Sequence, residues 1–70
     1  MTFTVDISAD LNDEDETGFV WTFLDEARDP VAIFPGAIVL AGDPDSAAAA
    51  EVVDVVSRAG NDVVHLRMRA

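Results

Sequence analysis

An apolar run enclosed by two turn signals constrains the fold of this chain more than any other stretch. Pro35-Gly36 precedes the run, residues 37–41 form it, and residues 42–45 (Gly-Asp-Pro-Asp) end it. A short apolar run between glycine and proline punctuation is typical of a buried strand. We therefore predict that residues 36–42 form the central strand of a small sheet.

The size of the chain limits how it can be stabilised. Its 70 residues correspond to one small domain spanning residues 1–70. A domain of this size buries only about 60% of the surface that its unfolded chain exposes. Cysteine is absent, which excludes disulfides and thiolate metal sites. Stability must therefore come from close packing or from a partner.

Apolar and polar residues alternate at both ends of the chain, which predicts a half-buried strand over residues 2–8 and another over residues 62–69. Gly60-Asn61-Asp62 is turn chemistry that precedes the second of these strands. We expect the two terminal strands to pair. Asp6 would then lie beside the outward cationic row of the last strand, which consists of His65, Arg67 and Arg69.

The aromatic segment at residues 18–24 also favours a strand, although a helical turn fits its spacing. Phe19, Trp21 and Phe23 would share one face of that strand. These rings and Phe34 have two interpretations, as core residues or as anchors for a partner. For a small barrel we favour the core for these rings, but a 70-residue barrel has little room for every ring. Trp21 is the residue that we expect to serve as an anchor, since tryptophan is enriched at binding hot spots.

Residues 46–59 fit two structures about equally well. As a helix, Asp45 or Ser46 would cap the segment and Gly60 would end it. As a strand, residues 52–56 (Val-Val-Asp-Val-Val) have strong β character. In a regular strand Glu51 and the aspartate in this run would fall on opposite faces, and a β-bulge would reconcile them. Local patterns leave both structures open.

A resemblance favours the strand. Residues 35–43, 50–55 and 63–67 resemble the strand order of SH3-like and KOW-type small β-barrels. The tail is also similar to uncharacterised short proteins of high-GC actinobacteria. The similarity covers residues 35–69 best, and it implies a five-stranded barrel without implying an activity or a site residue.

Together with the patterns above, this resemblance predicts an all-β fold, a small antiparallel barrel. The alternative is an α+β fold with a helix at 46–59. The predicted strands lie near residues 2–8, 18–24, 36–42, 48–57 and 62–69.

The charge of the chain is one-sided. It has 14 acidic residues, four arginines and no lysine, and its net charge is −10. Nucleic-acid affinity depends on neutralising phosphates, so we expect no direct binding to DNA or RNA. No apolar run approaches the ~20 residues of a membrane span, and the first residues lack the basic and apolar regions of a signal peptide. We therefore expect a cytoplasmic protein without membrane contact.

The residues that could carry chemistry do not form a complete set. Asp13, Asp15, Thr17 and Gly18 match the first, third, fifth and sixth places of an EF-hand calcium loop. The twelfth place requires a bidentate glutamate and is leucine here. His65 is the only histidine, and no nucleophile pattern accompanies it. We expect no catalytic, cofactor-binding or metal-binding residue, and so no enzyme activity.

These observations favour a non-catalytic acidic protein–protein interaction module, or an accessory component of a larger assembly. Its partner would be a protein, either a basic one or a second copy of the chain. The predicted contact residues are Trp21 and the acidic loop Asp13, Glu14, Asp15 and Glu16. The alternative function is an acidic nucleic-acid mimic or inhibitor that binds a basic protein. A mimic would spread its acids over one surface at phosphate-like spacing.

Overall fold

The computed structural model describes residues 4–12, 16 and 18–69, and these residues form one five-stranded sheet that curls into a half-barrel. Two short 3₁₀ helices, Leu24–Glu26 and Pro30–Ala32, follow the second strand along the chain. The strands are β1 (Ile7–Ser8), β2 (Val20–Phe23), β3 (Ile38–Gly42), β4 (Ala47–Arg58) and β5 (Asn61–Met68). No helix in this part of the chain is long and apolar enough to cross a membrane.

The all-β prediction is confirmed, because residues 47–58 form β4 and the alternative helix over residues 46–59 is absent from the described chain. The strand order is β1-β3-β4-β5-β2. The central strand is therefore β4, and the predicted central strand, β3, lies beside it. The predicted antiparallel pairing holds for β2 to β5, whereas β1 runs parallel to β3 with Ile7 opposite Ala41.

The predicted pairing of the two terminal strands is wrong, because Asp6 holds the beginning of the described chain against β3. Its amide donates to the Leu40 carbonyl, and its carboxylate accepts the Leu40 amide, each at 2.8 Å. The carboxylate also lies 3.5 Å from the Arg28 guanidinium. A side-chain oxygen therefore takes the place of a backbone acceptor, and regular pairing begins only at Ile7. Of the predicted strand over residues 2–8, residues 2 and 3 lie outside the described chain.

The predicted bulge in β4 is confirmed. Val52 pairs with Leu66 and Asp54 pairs with His65, so two steps along β4 match one step along β5. The extra residue restores the alternation after the bulge. Glu51 and Asp54 consequently face the same outer side of the sheet, while Val52 is fully buried.

Aliphatic residues fill the inner face of the half-barrel. The alternation predicted for β2 and β5 is confirmed, with Val20, Val64 and Leu66 fully buried. Thr22 is the buried polar residue of the described chain, and its hydroxyl donates to the Ser8 carbonyl at 2.8 Å. This bond links the two edge strands of the sheet. The buried apolar residues are Ile7, Val20, Ile33, Val39, Ala41, Ala50, Val52, Val64 and Leu66.

The turn between β4 and β5 has two residues, whereas the predicted strands near 48–57 and 62–69 leave four between them. β4 continues to Arg58 and β5 begins at Asn61, which leaves Ala59 and Gly60 as the turn. Both have positive φ, 46° and 88°. Two positive φ values are the requirement of a type I′ hairpin turn, which favours Asn-Gly. Ala59 therefore adopts a conformation that alanine disfavours.

We expect the Ala59→Asn change to raise the free energy of unfolding by about 0.5–1 kcal/mol, because asparagine tolerates the left-handed region better than alanine does. Urea denaturation followed by Trp21 fluorescence measures the change. Ala59→Val is the matched control with the opposite expected sign, since a β-branched side chain fits this region worst. A lower urea midpoint for Ala59→Asn than for the parent chain would contradict the turn assignment.

Candidate protein-binding surface

A row of outward-facing side chains crosses β2, β5 and β4. Trp21 lies opposite His65, and His65 lies opposite Asp54. The imidazole Nδ1 and the Asp54 carboxylate oxygen are 2.6 Å apart. An ionised carboxylate can only accept, so the proton of this hydrogen bond belongs to Nδ1. Asp54 thus fixes the orientation of the ring beside Trp21.

Trp21 and Phe23 form an exposed aromatic ridge on β2. Their ring centroids are 5.4 Å apart, and the ring planes meet at 86°, an edge-to-face arrangement. Their side chains are 38% and 40% exposed. Phe34 is also exposed, at 55%. The core interpretation of these three aromatics is therefore wrong, because aliphatic residues fill the inner face and alternation turns the β2 rings outward.

A second row lies next to the ridge, and in it two arginines share one carboxylate. The Arg67 guanidinium lies 5.7 Å from the centroid of the Phe19 ring, within the range of a cation–π contact. It also lies 3.7 Å from the Glu51 carboxylate, and Arg69 lies 3.8 Å from the same carboxylate. Exposed pairs of this kind contribute roughly 0–1 kcal/mol each. The three charges therefore cover the strand surface without adding much stability.

An acidic cleft of about 580 Å³ opens on the other side of the ridge, between the two edge strands β1 and β2. Three of the described residues that line it, Asp10, Glu26 and Asp43, are acidic and none is basic. Trp21 and Phe23 form its aromatic wall. The described lining consists of Ser8, Ala9, Asp10, Trp21, Thr22, Phe23, Glu26, Gly42 and Asp43.

The parallel pairing of β1 with β3 brings two of these acids together. Ser8 pairs with Gly42, so the chain leaves both strands at the same end of the sheet. Asp10 and Asp43 follow these two strand ends. The Asp43 carboxylate accepts the amide of Ser46 at 2.7 Å and also that of Asp45, which fixes the β3–β4 loop. Glu26 reaches the cleft from the 3₁₀ helix that follows β2.

Only some of the predicted contact residues lie on this surface. Trp21 belongs to the ridge and lines the acidic cleft. Glu16 is exposed, whereas Asp13, Glu14 and Asp15 lie outside the described residues. Sequence reasoning assigned Phe23 to the face of Trp21 but did not select it for the site. It also missed the cleft acids, which are Asp10, Glu26 and Asp43.

The described residues offer no cluster of three or more histidine, cysteine, aspartate or glutamate side chains that could hold a metal ion. The calcium-loop candidates Asp13, Asp15 and Thr17 lie outside the described chain. Ser57 donates its hydroxyl to the Asp62 carboxylate at 2.8 Å, so this hydroxyl is directed to a carboxylate rather than to His65. The Asp54–His65 pair lies on the outer face of the sheet, away from this hydroxyl's partner.

The chain gives no match in comparisons with protein-family models, curated proteins and solved structures. The resemblance to SH3-like and KOW-type barrels and to short actinobacterial proteins stays a prediction. The strand-rich half-barrel, with its aromatic ridge and acidic cleft, is what the structure establishes.

Proposed function

We propose that this protein is a non-catalytic interaction module that binds a basic, extended segment of another protein. One observation carries the proposal: the aromatic ridge forms the wall of a cleft that is lined by three carboxylates. Trp21 supplies the kind of large apolar contact that dominates protein interfaces. The carboxylates of Asp10, Glu26 and Asp43 supply complementary charge for lysine or arginine side chains of the partner.

The charge of the whole chain supports a basic partner. A net charge of −10 attracts cationic segments over distances comparable to the Debye length, about 8–10 Å at physiological salt. Asp13, Glu14, Asp15 and Glu16 belong to this proposal as steering charges. They lie in the chain between Asp10 of the cleft and Trp21 of the ridge. Steering charges mainly change the association rate and its salt dependence.

The shape of the site supports an extended partner segment. The cleft lies between the edge strands β1 and β2, which the Thr22–Ser8 hydrogen bond joins. An isolated bridge also pairs Ile7 of β1 with Ala27, the residue after the 3₁₀ helix that follows β2. A segment lying along this seam would present successive side chains to opposite sides. One set would meet the carboxylates, and the other would meet the aromatic ridge. An accessory role in a larger assembly and a cytoplasmic location belong to the same proposal.

Fluorescence anisotropy with a labelled eight-residue peptide that alternates lysine and leucine tests this proposal. We expect binding that weakens with added salt, and no binding of the same peptide with glutamate in place of lysine. Neutralising two cleft acids, with Asp10→Asn and Glu26→Gln, should weaken binding by about 1 kcal/mol, roughly fivefold in Kd. Trp21→Ala should cost about 2 kcal/mol, roughly 30-fold in Kd.

A second double variant, Asp29→Asn with Asp45→Asn, is the matched control. It changes the net charge from −10 by the same two charges as the cleft variant, and neither residue is among the described lining of the cleft. Asparagine also keeps the capping oxygen by which Asp29 accepts the Val31 amide. We expect the control to bind nearly as well as the parent chain. Equal weakening by both double variants would overturn the cleft as the site and would favour the nucleic-acid mimic, whose partner reads the whole acidic surface.

A further inference from the structure

A third depression lies on the other side of the aromatic ridge and differs in charge from the rest of the surface. Its volume is about 520 Å³. None of its described lining residues is acidic, although the chain carries 14 acids. The acidic cleft, in contrast, is lined by three carboxylates, and a second depression of about 340 Å³ is lined by two, Asp25 and Asp62. The described lining consists of Trp21, Phe23, Arg58, Asn61, Val63 and His65.

The strand register assembles this depression, which we call the hairpin pocket. Trp21 lies opposite His65, and Phe23 lies opposite Val63. The β4–β5 hairpin brings Arg58 directly opposite Asn61 at the end of the same face. The pocket therefore has an aromatic and aliphatic floor with polar groups at both ends.

Arg58 is the cation of the hairpin pocket, and it is exposed. Within the described residues it forms no ion pair, whereas Arg28 pairs with Asp6 and the other two arginines pair with Glu51. A guanidinium presents five N–H donors in a planar fork that matches a carboxylate. The side-chain amide of Asn61 adds neutral donors at the same end of the pocket.

The acid that pairs with His65, at the other end of the pocket, is already engaged. Asp54 lies opposite His65 on β4, and its carboxylate accepts the Nδ1 proton of that ring at 2.6 Å. Its charge is therefore directed to the imidazole rather than to Arg58. The pocket thus keeps its cation available in a strongly acidic chain.

We propose that the hairpin pocket binds a carboxylate that is carried on an apolar body. The carboxylate pairs with Arg58 and Asn61, and the apolar body covers Trp21, Phe23 and Val63. Two sources share this chemistry, a free small acid with an aromatic or branched side chain and the C-terminal residue of a polypeptide. The site shares Trp21 and Phe23 with the acidic cleft but none of its carboxylates, so the proposal does not depend on the basic partner.

Titration of the full chain with N-acetylphenylalanine and with N-acetylphenylalaninamide tests the proposal, because the two probes differ only at the carboxylate. Amide and indole NMR shifts report the bound position, since Trp21 is the only tryptophan. We expect the acid to shift the Trp21 indole, Asn61 and His65 signals and to bind about tenfold more tightly than the amide. Equal affinity of the two probes, or no shift with either, would overturn the proposal.

Two arginine variants test whether Arg58 is the cation that selects the acid over the amide. Arg58→Gln should abolish the preference for the acid over the amide, whereas Arg28→Gln makes the same charge change outside the pocket and should keep it. A loss of preference in both variants would show that net charge rather than the pocket selects the acid, which would refute the site.

A six-residue peptide ending in phenylalanine, compared with its C-terminal amide, tests whether the carboxylate comes from a free acid or from a polypeptide. Tighter binding of the free-carboxylate peptide than of N-acetylphenylalanine assigns the site to polypeptide C-termini, and similar affinity for the two acids assigns it to apolar carboxylates in general.

Discussion

Replacing Gly42 with alanine is expected to lower the free energy of unfolding by about 3 kcal/mol or more. Gly42 has a φ of +132°, and a Cβ added there would lie 2.2 Å from the Ser46 carbonyl oxygen. That oxygen already accepts the Asp43 amide at 2.9 Å, and the Asp43 carboxylate holds the rest of the loop. A domain of this length has a total stability of about 4–10 kcal/mol. The single added methyl group would therefore remove a large share of it.

Gly36→Ala is the matched control for this prediction. Gly36 also has positive φ, +93°, but an added Cβ would meet nothing within 4 Å. This variant should lose only the conformational term of about 1–2 kcal/mol. Urea denaturation of both variants, followed by Trp21 fluorescence, measures the difference. Equal losses would mean that the β3–β4 loop can move away from the new methyl group.

The sequence predicts the faces of the strands better than it predicts their neighbours. Alternation alone assigns Val64 and Leu66 to the core. In its own strand, alternation places Trp21 on the face opposite to its two neighbours in sequence. Both assignments use only the two-residue side-chain period of a strand, which is local information. The same reasoning shows that, if the segment is a strand, a bulge would place Glu51 and Asp54 on one side, and the structure has this bulge between Val52 and Asp54. The position of β1 depends instead on a contact between Asp6 and the Leu40 amide, 34 residues away. No local pattern encodes that contact.

The candidate sites show the same difference between strand faces, which local patterns predict, and strand neighbours, which they do not. The sequence predicts that Trp21 and Phe23 share one face of a strand, but not that this face is the outer one. Asp10 and Asp43 become neighbours at the cleft only because β1 runs parallel to β3. The hairpin pocket also depends on pairing, because Arg58 meets the aromatic ridge through the register of β4, β5 and β2. Charge composition predicted a basic partner but could not show that one depression lacks acids.

Truncating Leu66 to alanine should cost far more stability than truncating Trp21. Leu66 is fully buried, so Leu66→Ala leaves a cavity and should lower the free energy of unfolding by about 2–5 kcal/mol. Trp21 is 38% exposed on the outer face. Trp21→Ala removes cross-strand and aromatic contacts worth about 1–2 kcal/mol together. Far-UV circular dichroism during urea denaturation measures both, since the tryptophan reporter is absent from one variant.

The comparison matters because the same tryptophan serves both proposed sites, as a wall of the acidic cleft and as part of the hairpin pocket. A folded Trp21→Ala variant that loses both the lysine–leucine peptide and N-acetylphenylalanine would show that the ridge contributes binding energy from an independently stable surface. Loss of stability equal to that of Leu66→Ala would show that Trp21 supports the fold as strongly as a core residue does, although it lies on the outer face. Its contribution to binding could then not be separated from its contribution to folding, and Phe23, 40% exposed on the same face, would be the ring left to anchor a partner.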